Sequence, residues 1–314
     1  MTAAPLFTVV IPCFRARDSI ATALSSVLAQ SEPDFEVFLI DDGSPDDTVD
    51  MALEAAGGDR RVGLLRQDNR GPAAARNRGI HAGSGRFVAF LDADDRWAPD
   101  LLACHRDHFA ANQRLGVSFA RIRFYDPTLT RPGRVSAYVE NLHLAQALGE
   151  NPVCTTSNIA ARRVVFAQAG DFDAAMTHAE DQEWLARVLA TTDWRIGGID
   201  AALVDYRTSA AGLSADLDRM LAGWRAMIER VRAHAPGEVA RAEPAARALF
   251  ERYLARRALR TGKPAALAFA HMLAAIRSSP AALLANEPRR TLLTVLGVLA
   301  SLLPSPLVRA AVTR

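Results

Sequence analysis

Short apolar runs alternate with amphipathic segments through the first hundred residues of the chain. Four runs rich in β-branched and aromatic residues are predicted strands: 6–12, 35–40, 62–65 and 87–91. Three segments between them have apolar residues at helical spacing or open with a helix-starting proline: 19–30, 49–56 and 72–82. Regular strand–helix alternation is typical of an α/β protein with a mostly parallel sheet.

Polar residues follow three of these four predicted strands at the point where each strand ends. They form the clusters Pro12-Cys13-Phe14, Asp41-Asp42-Gly43-Ser44 and Asp92-Ala93-Asp94-Asp95. The carboxyl ends of parallel strands lie at one edge of a sheet, and ligands of open α/β sheets bind beyond that edge. We therefore expect the three clusters to meet in one site.

The cluster after the fourth predicted strand suggests a metal site. Asp92, Asp94 and Asp95 repel one another unless a cation lies beside them. Carboxylate oxygens suit Mg²⁺ or Mn²⁺, and both ions take phosphate oxygens as further ligands. The cluster contains no histidine or cysteine, which disfavours zinc. The sequence therefore predicts Mg²⁺ or Mn²⁺ here, with simple turn capping by the aspartates as the alternative.

The character of the chain changes after Gly212. Residues 213–314 are rich in alanine, arginine and leucine, which predicts an appended helical region after a first domain of residues 1–212. This region has 16 basic and 7 acidic residues, a net charge of +9, whereas residues 1–212 carry −7. A basic region suggests an anionic partner, or else a solvated helix face. Its aromatic residues are too sparse for us to expect a nucleic-acid partner.

The last apolar segment is too short to span a bilayer. It runs for 13 residues, 291–303, before Pro304, whereas a membrane span needs about 20 residues. Its leucines recur at helical spacing between flanking arginines. Two interpretations stay open: residues 289–314 contact a membrane surface as an interfacial helix, or the helix docks on the first domain.

Cysteine usage and the N-terminus bear on the cellular location. The three cysteines have no C-x-x-C spacing, and the first residues lack the basic and apolar regions of a secretory signal. We therefore expect a cytoplasmic protein, with attachment to the inner face of the membrane as an option.

Five segments together resemble one protein family: VVIPCF, IDDGSPDDT, NRGPAAARNRGI, FLDADD and AEDQEW. They resemble the family 2 glycosyltransferases of GT-A fold, over about residues 8–214. The resemblance implies a GT-A (Rossmann-like) α/β sheet flanked by helices. It also implies transfer of a sugar from a nucleotide-diphosphate sugar to a hydroxyl acceptor, in the synthesis of a cell-surface polysaccharide, glycolipid or lipid-linked glycan. UDP is the expected nucleotide, with GDP and dTDP as alternatives.

The resemblance also implies a binding site for the donor nucleotide. Pro12, Cys13 and Phe14 would line the pocket for the base. Asp41 would bind the base, since a carboxylate is a suitable partner for the imide N–H of uracil. Arg76 would contact the base or the phosphates.

At the D-x-D cluster, the resemblance places Asp92 against the ribose and Asp94 on the metal. Three neighbours are expected to be structural: Asp42 as the cap of the Gly43–Ser44 turn, Asn77 as a support of its own loop, and Asp95 as the cap of the following helix.

Catalysis is implied for the acidic pair Glu180-Asp181. Asp181 would be the general base, which typically contributes about 10²–10⁴-fold, and Glu180 would orient the acceptor. A single displacement of this kind inverts the anomeric carbon. Arg207 would contact the diphosphate. Ser209 stands where the family often has a metal-binding histidine, so phosphates and water would complete the metal's coordination.

Two other functions remain open on the residues alone. A nucleotidyltransferase shares the acidic metal site but usually carries a glycine-rich loop after its first strand, and IPCFRARDS contains no glycine. A non-catalytic nucleotide-sugar-binding or scaffold protein could keep the fold, and the presence of both Asp94 and Asp181 disfavours it. Turnover would separate a scaffold from an enzyme.

Overall fold

A computed structural model describes residues 4–176, 178–208 and 217–303. Its first part is the predicted alternation of strands and helices. The strands are β1 (Phe7–Cys13), β2 (Phe35–Asp41), β3 (Val62–Arg66) and β4 (Phe87–Phe90). They are parallel and lie in the order β3-β2-β1-β4. The helices between them are α1 (Ile20–Leu28), α2 (Thr48–Ala56) and α3 (Pro72–Ala82).

The sheet continues beyond β4 with strands from the middle of the chain, each antiparallel to at least one neighbour. These are β5 (Arg96–Trp97), β6 (Leu115–Tyr125), β7 (Pro132–Val135), β8 (Ile159–Arg162) and β9 (Arg195–Arg207). Their order is β4-β8-β6-β9-β5, and β7 pairs with β6. The helices of this part are α4 (Leu101–Ala111), α6 (Arg163–Ala169) and α7 (Glu180–Thr191). The α/β fold is as predicted, and the antiparallel additions make the sheet mixed.

Helix α3 lies close to the sheet because a glycine faces it. A Cβ atom added to Gly79 would lie 2.3 Å from Val10 Cγ1, so only glycine permits this approach. Pro72 occupies the first turn of α3, as predicted, after Gly71 at φ +86°. The close approach fixes the position of the arginine on the neighbouring turn, Arg76.

The chain divides by its internal contacts into two units. The first contains Met1–Leu142 and Pro152–Ala210, and the second contains His143–Asn151 and Ala211–Arg314. The second unit is helical: α5 (Leu144–Ala147), α8 (Leu217–His234), α9 (Pro236–Arg260), α10 (Ala265–Ser278), α11 (Pro280–Ala285) and α12 (Pro288–Ser301). Residues 143–151 join it because Leu148 O accepts from Trp224 Nε1 and Glu150 pairs with Arg252 and Arg256. The domain boundary near residue 212 stays a prediction.

Two further points concern the limits of the described residues. Ser209 and the end of the predicted interfacial segment, 304–314, lie outside them. Within them, no helix is both long enough and apolar enough to cross a membrane.

Candidate functional site

The predicted convergence of the strand ends is confirmed. Cys13 at the end of β1 lies opposite Asp41 at the end of β2, and the Asp42 N–H donates to Cys13 O at 2.9 Å. Just after β4, the Leu91 N–H donates to Val10 O at 3.1 Å. The polar residues that follow these strands therefore share one edge of the sheet.

Asp41 at the end of β2, and not Asp42 after it, caps the following turn. Asp41 Oδ1 accepts the Ser44 N–H at 3.0 Å, so Asp41 caps the turn that was assigned to Asp42. Asp42 instead accepts from Gln67 Nε2 and from the N–H groups of Arg70 and Gly71, at 2.8–2.9 Å. The prediction for Asp42 is wrong because its partners are distant in sequence, in the loop that leads into α3. Asp41 is buried, and its role in base binding stays a prediction.

The residues that end β1 form the rim of the site. Phe14 is 43% exposed, with the Arg15 guanidinium 5.2 Å from its ring centre, and Pro12 is half-buried. Cys13 is buried, and this burial raises the pKa of its thiol to about 12, so it stays protonated. An exposed ring at this edge of the sheet is compatible with stacking on a flat base, and the base-pocket assignment of Pro12 and Phe14 stays a prediction.

Arg76 is the link between the two acidic parts of the site. Its Nη2 lies 2.7 Å from Asp92 Oδ1 and its Nη1 lies 2.8 Å from Glu180 Oε1. Burial alone would lower the pKa of Arg76, but the two carboxylates raise it, so the guanidinium stays charged. The structure thus brings together three residues predicted separately, one after β4, one on α3 and one on α7.

Asn77 lies on α3 and holds the distant loop that contains Phe172, not a loop of its own as expected. Its amide Nδ2 donates to Phe172 O at 2.7 Å, and its Oδ1 accepts the Phe172 N–H at 3.0 Å. The Phe172 ring lies against Arg76, whose guanidinium is 5.9 Å from the ring centre. Asn77 therefore supports the position of the arginine next to it.

Three hydroxyl residues, Thr155, Thr156 and Ser157, surround Asp92. Ser157 Oγ accepts the Asp92 N–H at 3.0 Å, and the Thr155 and Thr156 hydroxyls lie 3.3–3.4 Å from the carboxylate oxygens. Sequence reasoning missed this group. A run of four small polar residues, TTSN, before an apolar strand could have indicated it, since all four are buried in the structure.

Asp95 is buried, and its predicted role as a helix cap is wrong. Its carboxylate accepts from Ser157 Oγ at 2.6 Å and from the Arg207 N–H at 2.9 Å. Burial raises the pKa of Asp95 well above its usual range, and the charges of Asp94 and Asp92 raise it further. Asp95 therefore joins the D-x-D segment to the turn before β8 and to β9, instead of to α4.

Asp94 is exposed and lies within the negative field of its neighbours. The neighbouring protein atoms take away part of the hydration of its carboxylate, which raises the pKa of Asp94, and the charge of Asp92 raises it further. The charge of Arg207 lowers this pKa and so offsets part of the effect. The excess of negative charge at an accessible carboxylate fits a hard divalent ion. In the described part of the chain, no three His, Cys, Asp or Glu side chains are grouped as a metal site. Asp94 as the metal ligand stays a prediction.

Arg207 forms one wall of the site at the end of β9. Its Nε donates to Asp94 O at 2.9 Å and its Nη1 to Pro127 O at 2.7 Å. The guanidinium is thus bonded to two backbone carbonyls beside the D-x-D segment. Its contact with a diphosphate stays a prediction.

The pair Glu180-Asp181 occupies the first turn of α7, where a helix dipole favours negative charge. The preceding residue, Ala179, has φ +60°, a left-handed conformation that costs a non-glycine residue about 1–2 kcal/mol. Burial raises the pKa of Asp181 to about 6, and Glu180 raises it too, whereas the Gln182 N–H and Arg76 lower it. A carboxyl group titrating near 6 is suited to accept a proton at neutral pH.

Helix α7 is anchored firmly behind this pair. Trp184 is fully buried and stacks on Phe166 with ring centres 4.6 Å apart. Arg187 pairs with Glu183 and donates to the Ala169 and Asp171 carbonyls. A buried ion pair with these hydrogen bonds fixes the orientation of α7 and adds little to the free energy of unfolding. The acidic first turn of α7 is therefore held rigidly against Arg76.

Comparison with known proteins assigns the first part of the chain to a family. The model of the family "Glycosyl transferase family 2" matches residues 8–170. The succinoglycan biosynthesis proteins ExoO and ExoW of Rhizobium meliloti (strain 1021) are each 46% identical over 99 residues. These matches cover 31% and 30% of the chain, and the chain spans only 28% and 31% of the two relatives.

Solved structures share the fold over nearly the whole chain. The S. aureus protein TarS 1-349 in complex with UDP aligns with a TM-score of 0.59 at 19% identity, covering 98% of this chain and 87% of that protein. The mannosyltransferase PcManGT from Pyrobaculum calidifontis, in complex with GDP-Man and Mn2+, aligns with a TM-score of 0.63 at 20% identity, covering 99% and 88%. At these identities the likeness establishes the fold alone.

Proposed function

The chain belongs to glycosyl transferase family 2, and we propose that it transfers a sugar from a nucleotide-diphosphate sugar to a hydroxyl acceptor. The observation that supports this most is the bridge made by Arg76 between Asp92 and Glu180. One cation joins the D-x-D segment, where the donor is expected, to the helix that carries the expected base. The proposed donor site and the proposed acceptor site would thus be linked through the buried Arg76.

The donor nucleotide is proposed to bind along the carboxyl ends of β1 and β2. Phe14 supplies an exposed ring, and Asp41 a buried carboxylate of which Oδ1 is used by the Ser44 N–H. The second oxygen of Asp41 then takes the N–H of the base. UDP is the proposed nucleotide on the family resemblance, and the bound UDP of one structural neighbour and GDP-Man of another make both worth testing.

Mg²⁺ or Mn²⁺ is proposed to accompany the diphosphate. Asp94 would be its protein ligand, because this carboxylate is exposed and the negative charge of Asp92 acts on it. When bound, the ion would neutralise charge on the leaving diphosphate. Asp92 keeps its contact with Arg76 and the hydroxyls of Thr155 and Thr156, which orient it towards the ribose.

Asp181 is proposed to remove the proton from the acceptor hydroxyl. Its pKa of about 6 leaves it ionised at pH 7, yet basic enough to take up a proton. Glu180, fixed by Arg76, orients the acceptor next to it. Attack from the side opposite the leaving diphosphate inverts the anomeric carbon, so an α-linked donor gives a β-linked product.

The acceptor is proposed to be a growing glycan or a lipid-linked precursor at the cytoplasmic side of a membrane. Relatives named for succinoglycan biosynthesis support a polysaccharide product.

Calorimetric titration tests the donor half of this proposal. UDP, GDP and dTDP are titrated with and without Mn²⁺ into the wild type, Asp94→Ala and the control Asp107→Ala, which alters an exposed carboxylate on α4. We expect metal-dependent binding of one nucleotide to the wild type and the control, and none to Asp94→Ala. If no nucleotide binds the folded wild type under any condition, the proposal is wrong.

A further inference from the structure

Helix α12 presents leucine to solvent. Four leucines on its outer side, named here the leucine face, are between 52% and 68% exposed: Leu292, Leu293, Leu296 and Leu299. Leu302 and Leu303, directly after the helix, are also about half exposed. Isolated exposed leucines are common, but a continuous apolar stripe of this kind marks an interaction site.

The opposite side of α12 is the side that packs against its own unit, and it is small and polar. Thr291, Thr294 and Val298 are buried there. The Thr291 hydroxyl donates to Leu283 O at 2.8 Å and accepts from Arg252 Nη1 at 2.9 Å. These bonds fix the rotation of the helix. Its apolar side thus points outwards, the reverse of an ordinary surface helix.

Neighbouring helices of the same unit add exposed apolar area. Leu284 on α11 is 69% exposed, and Phe269 and Ile276 on α10 are just over 40% exposed. Both helices pack against α12.

Positive charge is concentrated at the N-terminal end of α12. Arg289 is exposed, and its spacing to Leu292, Leu293 and Leu296 places it on the side of the leucine face. Arg290, Arg252 and Arg256 all pair with Glu150. Glu287 also pairs with Arg252 and Arg290, so three guanidiniums share two carboxylates.

The crowding of these guanidiniums is visible at Arg256. Burial lowers the pKa of Arg256 to about 10, and the neighbouring charges of Arg290, Arg260 and Arg252 contribute in the same direction, against the opposing effect of Glu150. This end of the helix therefore carries excess positive charge.

We propose that the leucine face inserts into the interface of an anionic membrane, with the arginines at the start of α12 against the lipid phosphates. A 14-residue helix is about 20 Å long and can lie flat in the headgroup region. A basic amphipathic helix with leucines on one side is the arrangement that such a surface binds. The proposal does not depend on the transfer reaction.

A second copy of the chain is a less suitable partner for this surface. A two-fold contact with parallel helices would place identical arginine clusters near one another, and like charges oppose association. A contact with antiparallel helices would separate the clusters but supply no anionic group to either. An anionic lipid surface relieves the same charge. Charge complementarity therefore favours the membrane.

Vesicle co-sedimentation of the full chain tests the proposal. Vesicles of phosphatidylglycerol and phosphatidylcholine are compared with phosphatidylcholine alone, for the wild type and Leu292→Ser/Leu296→Ser/Leu299→Ser. We expect the wild type to bind the anionic vesicles, and the triple variant to partition at least about tenfold less. Raising the salt concentration should weaken the binding of the wild type.

Two further variants keep the result interpretable. Leu53→Ser/Val164→Ser changes exposed apolar residues of the first unit and should bind as the wild type does. If circular dichroism shows that the triple variant does not fold, Leu293→Gln replaces it in the experiment, because Leu293 is the most exposed residue of the leucine face. Wild-type binding to neither vesicle, or equal binding by the leucine variants, overturns the proposal. If the wild type is a dimer that binds no vesicles, and the leucine variants are monomers, the proposal is wrong and the leucine face is a self-association surface.

Discussion

Replacing Arg76 with methionine removes the cation that links the two acidic parts of the site. Its guanidinium lies 2.7 Å from Asp92 and 2.8 Å from Glu180, and methionine fills much of the same space without charge. The substitution leaves both carboxylates close together in a poorly hydrated place. We expect two consequences, a loss of stability and a change in the pH dependence of transfer.

The loss of stability follows from the burial of the three side chains. Leaving a buried charge without its partner costs about 3–5 kcal/mol. The side chains of Arg76, Glu180 and Asp92 are 6%, 12% and 28% exposed, so water relieves part of the cost at Asp92. We expect a decrease of about 3 kcal/mol in the free energy of unfolding, the lower end of that range.

The pH dependence follows from the effect of Arg76 on the proposed base. Arg76 lowers the pKa of Asp181, which is about 6. Losing a nearby opposite charge raises the pKa of a carboxyl group by about one unit or more. Because the base must be ionised, the rate rises with pH through this pKa. The rising limb of the profile should therefore move from about pH 6 towards about pH 7.

Initial rates of nucleoside diphosphate release between pH 5 and pH 8.5 measure this shift. Arg78→Met is the matched control, since Arg78 lies on the same helix and its guanidinium donates to Arg66 O, away from the acids. The control should keep the wild-type profile. A folded Arg76→Met variant whose rising limb stays in place, or moves to lower pH, would refute the reasoning.

Three further substitutions test separate parts of the account. Asp181→Asn should raise the free energy of unfolding at pH 7 by about 1–2 kcal/mol. The pKa of Asp181 is raised from 3.8 to about 6, so the wild type is most stable with this carboxyl protonated and loses stability as the pH rises through that range. Denaturant unfolding at pH 4.5 and pH 7 measures it, and a variant no more stable at pH 7 would contradict it. Ser157→Ala removes the hydroxyl that donates to buried Asp95 at 2.6 Å. It should lower the free energy of unfolding by about 1–3 kcal/mol and weaken nucleotide binding. An unchanged melting temperature and unchanged calorimetric nucleotide binding would contradict the bridging role of Asp95. Gly79→Ala would place a Cβ 2.3 Å from a valine of β1 and should lower the free energy of unfolding by about 1–3 kcal/mol. The control Gly237→Ala, whose Cβ would lie 3.5 Å from its nearest neighbour, should not lower it. Equal thermal midpoints for the two variants would contradict this packing.

The sequence was sufficient to predict the framework of the first unit. Each of the strands β1 to β4 is a short apolar run, and its hydrophobic pattern is local, so the strand and its polar end are visible without the fold. The rule that parallel strands end at one edge then placed Asp41 and Asp92 together. Pro72 at the start of α3 was predicted for the same local reason.

Side-chain partners distant in sequence could not be predicted. The sequence predicts that Asp42 caps a neighbouring turn and Asp95 a neighbouring helix, whereas their partners are the loop before α3 and Ser157. The aspartate capping rules describe near neighbours only, and burial of a carboxylate makes distant donors decisive. The bridge by Arg76 was missed for this reason, since Glu180 lies 104 residues away.

The most direct measurement of the central claim is donor turnover by the wild type and by Asp181→Asn. Nucleoside diphosphate release is followed by chromatography over a panel of UDP-, GDP- and dTDP-sugars with Mn²⁺, with glycan acceptors added. The account predicts release from one donor, stimulated by acceptor, and about 10²–10⁴-fold slower in the variant, although both bind the nucleotide equally. A folded wild type that binds nucleotide yet releases none from any donor, or a variant as fast as the wild type, would contradict it.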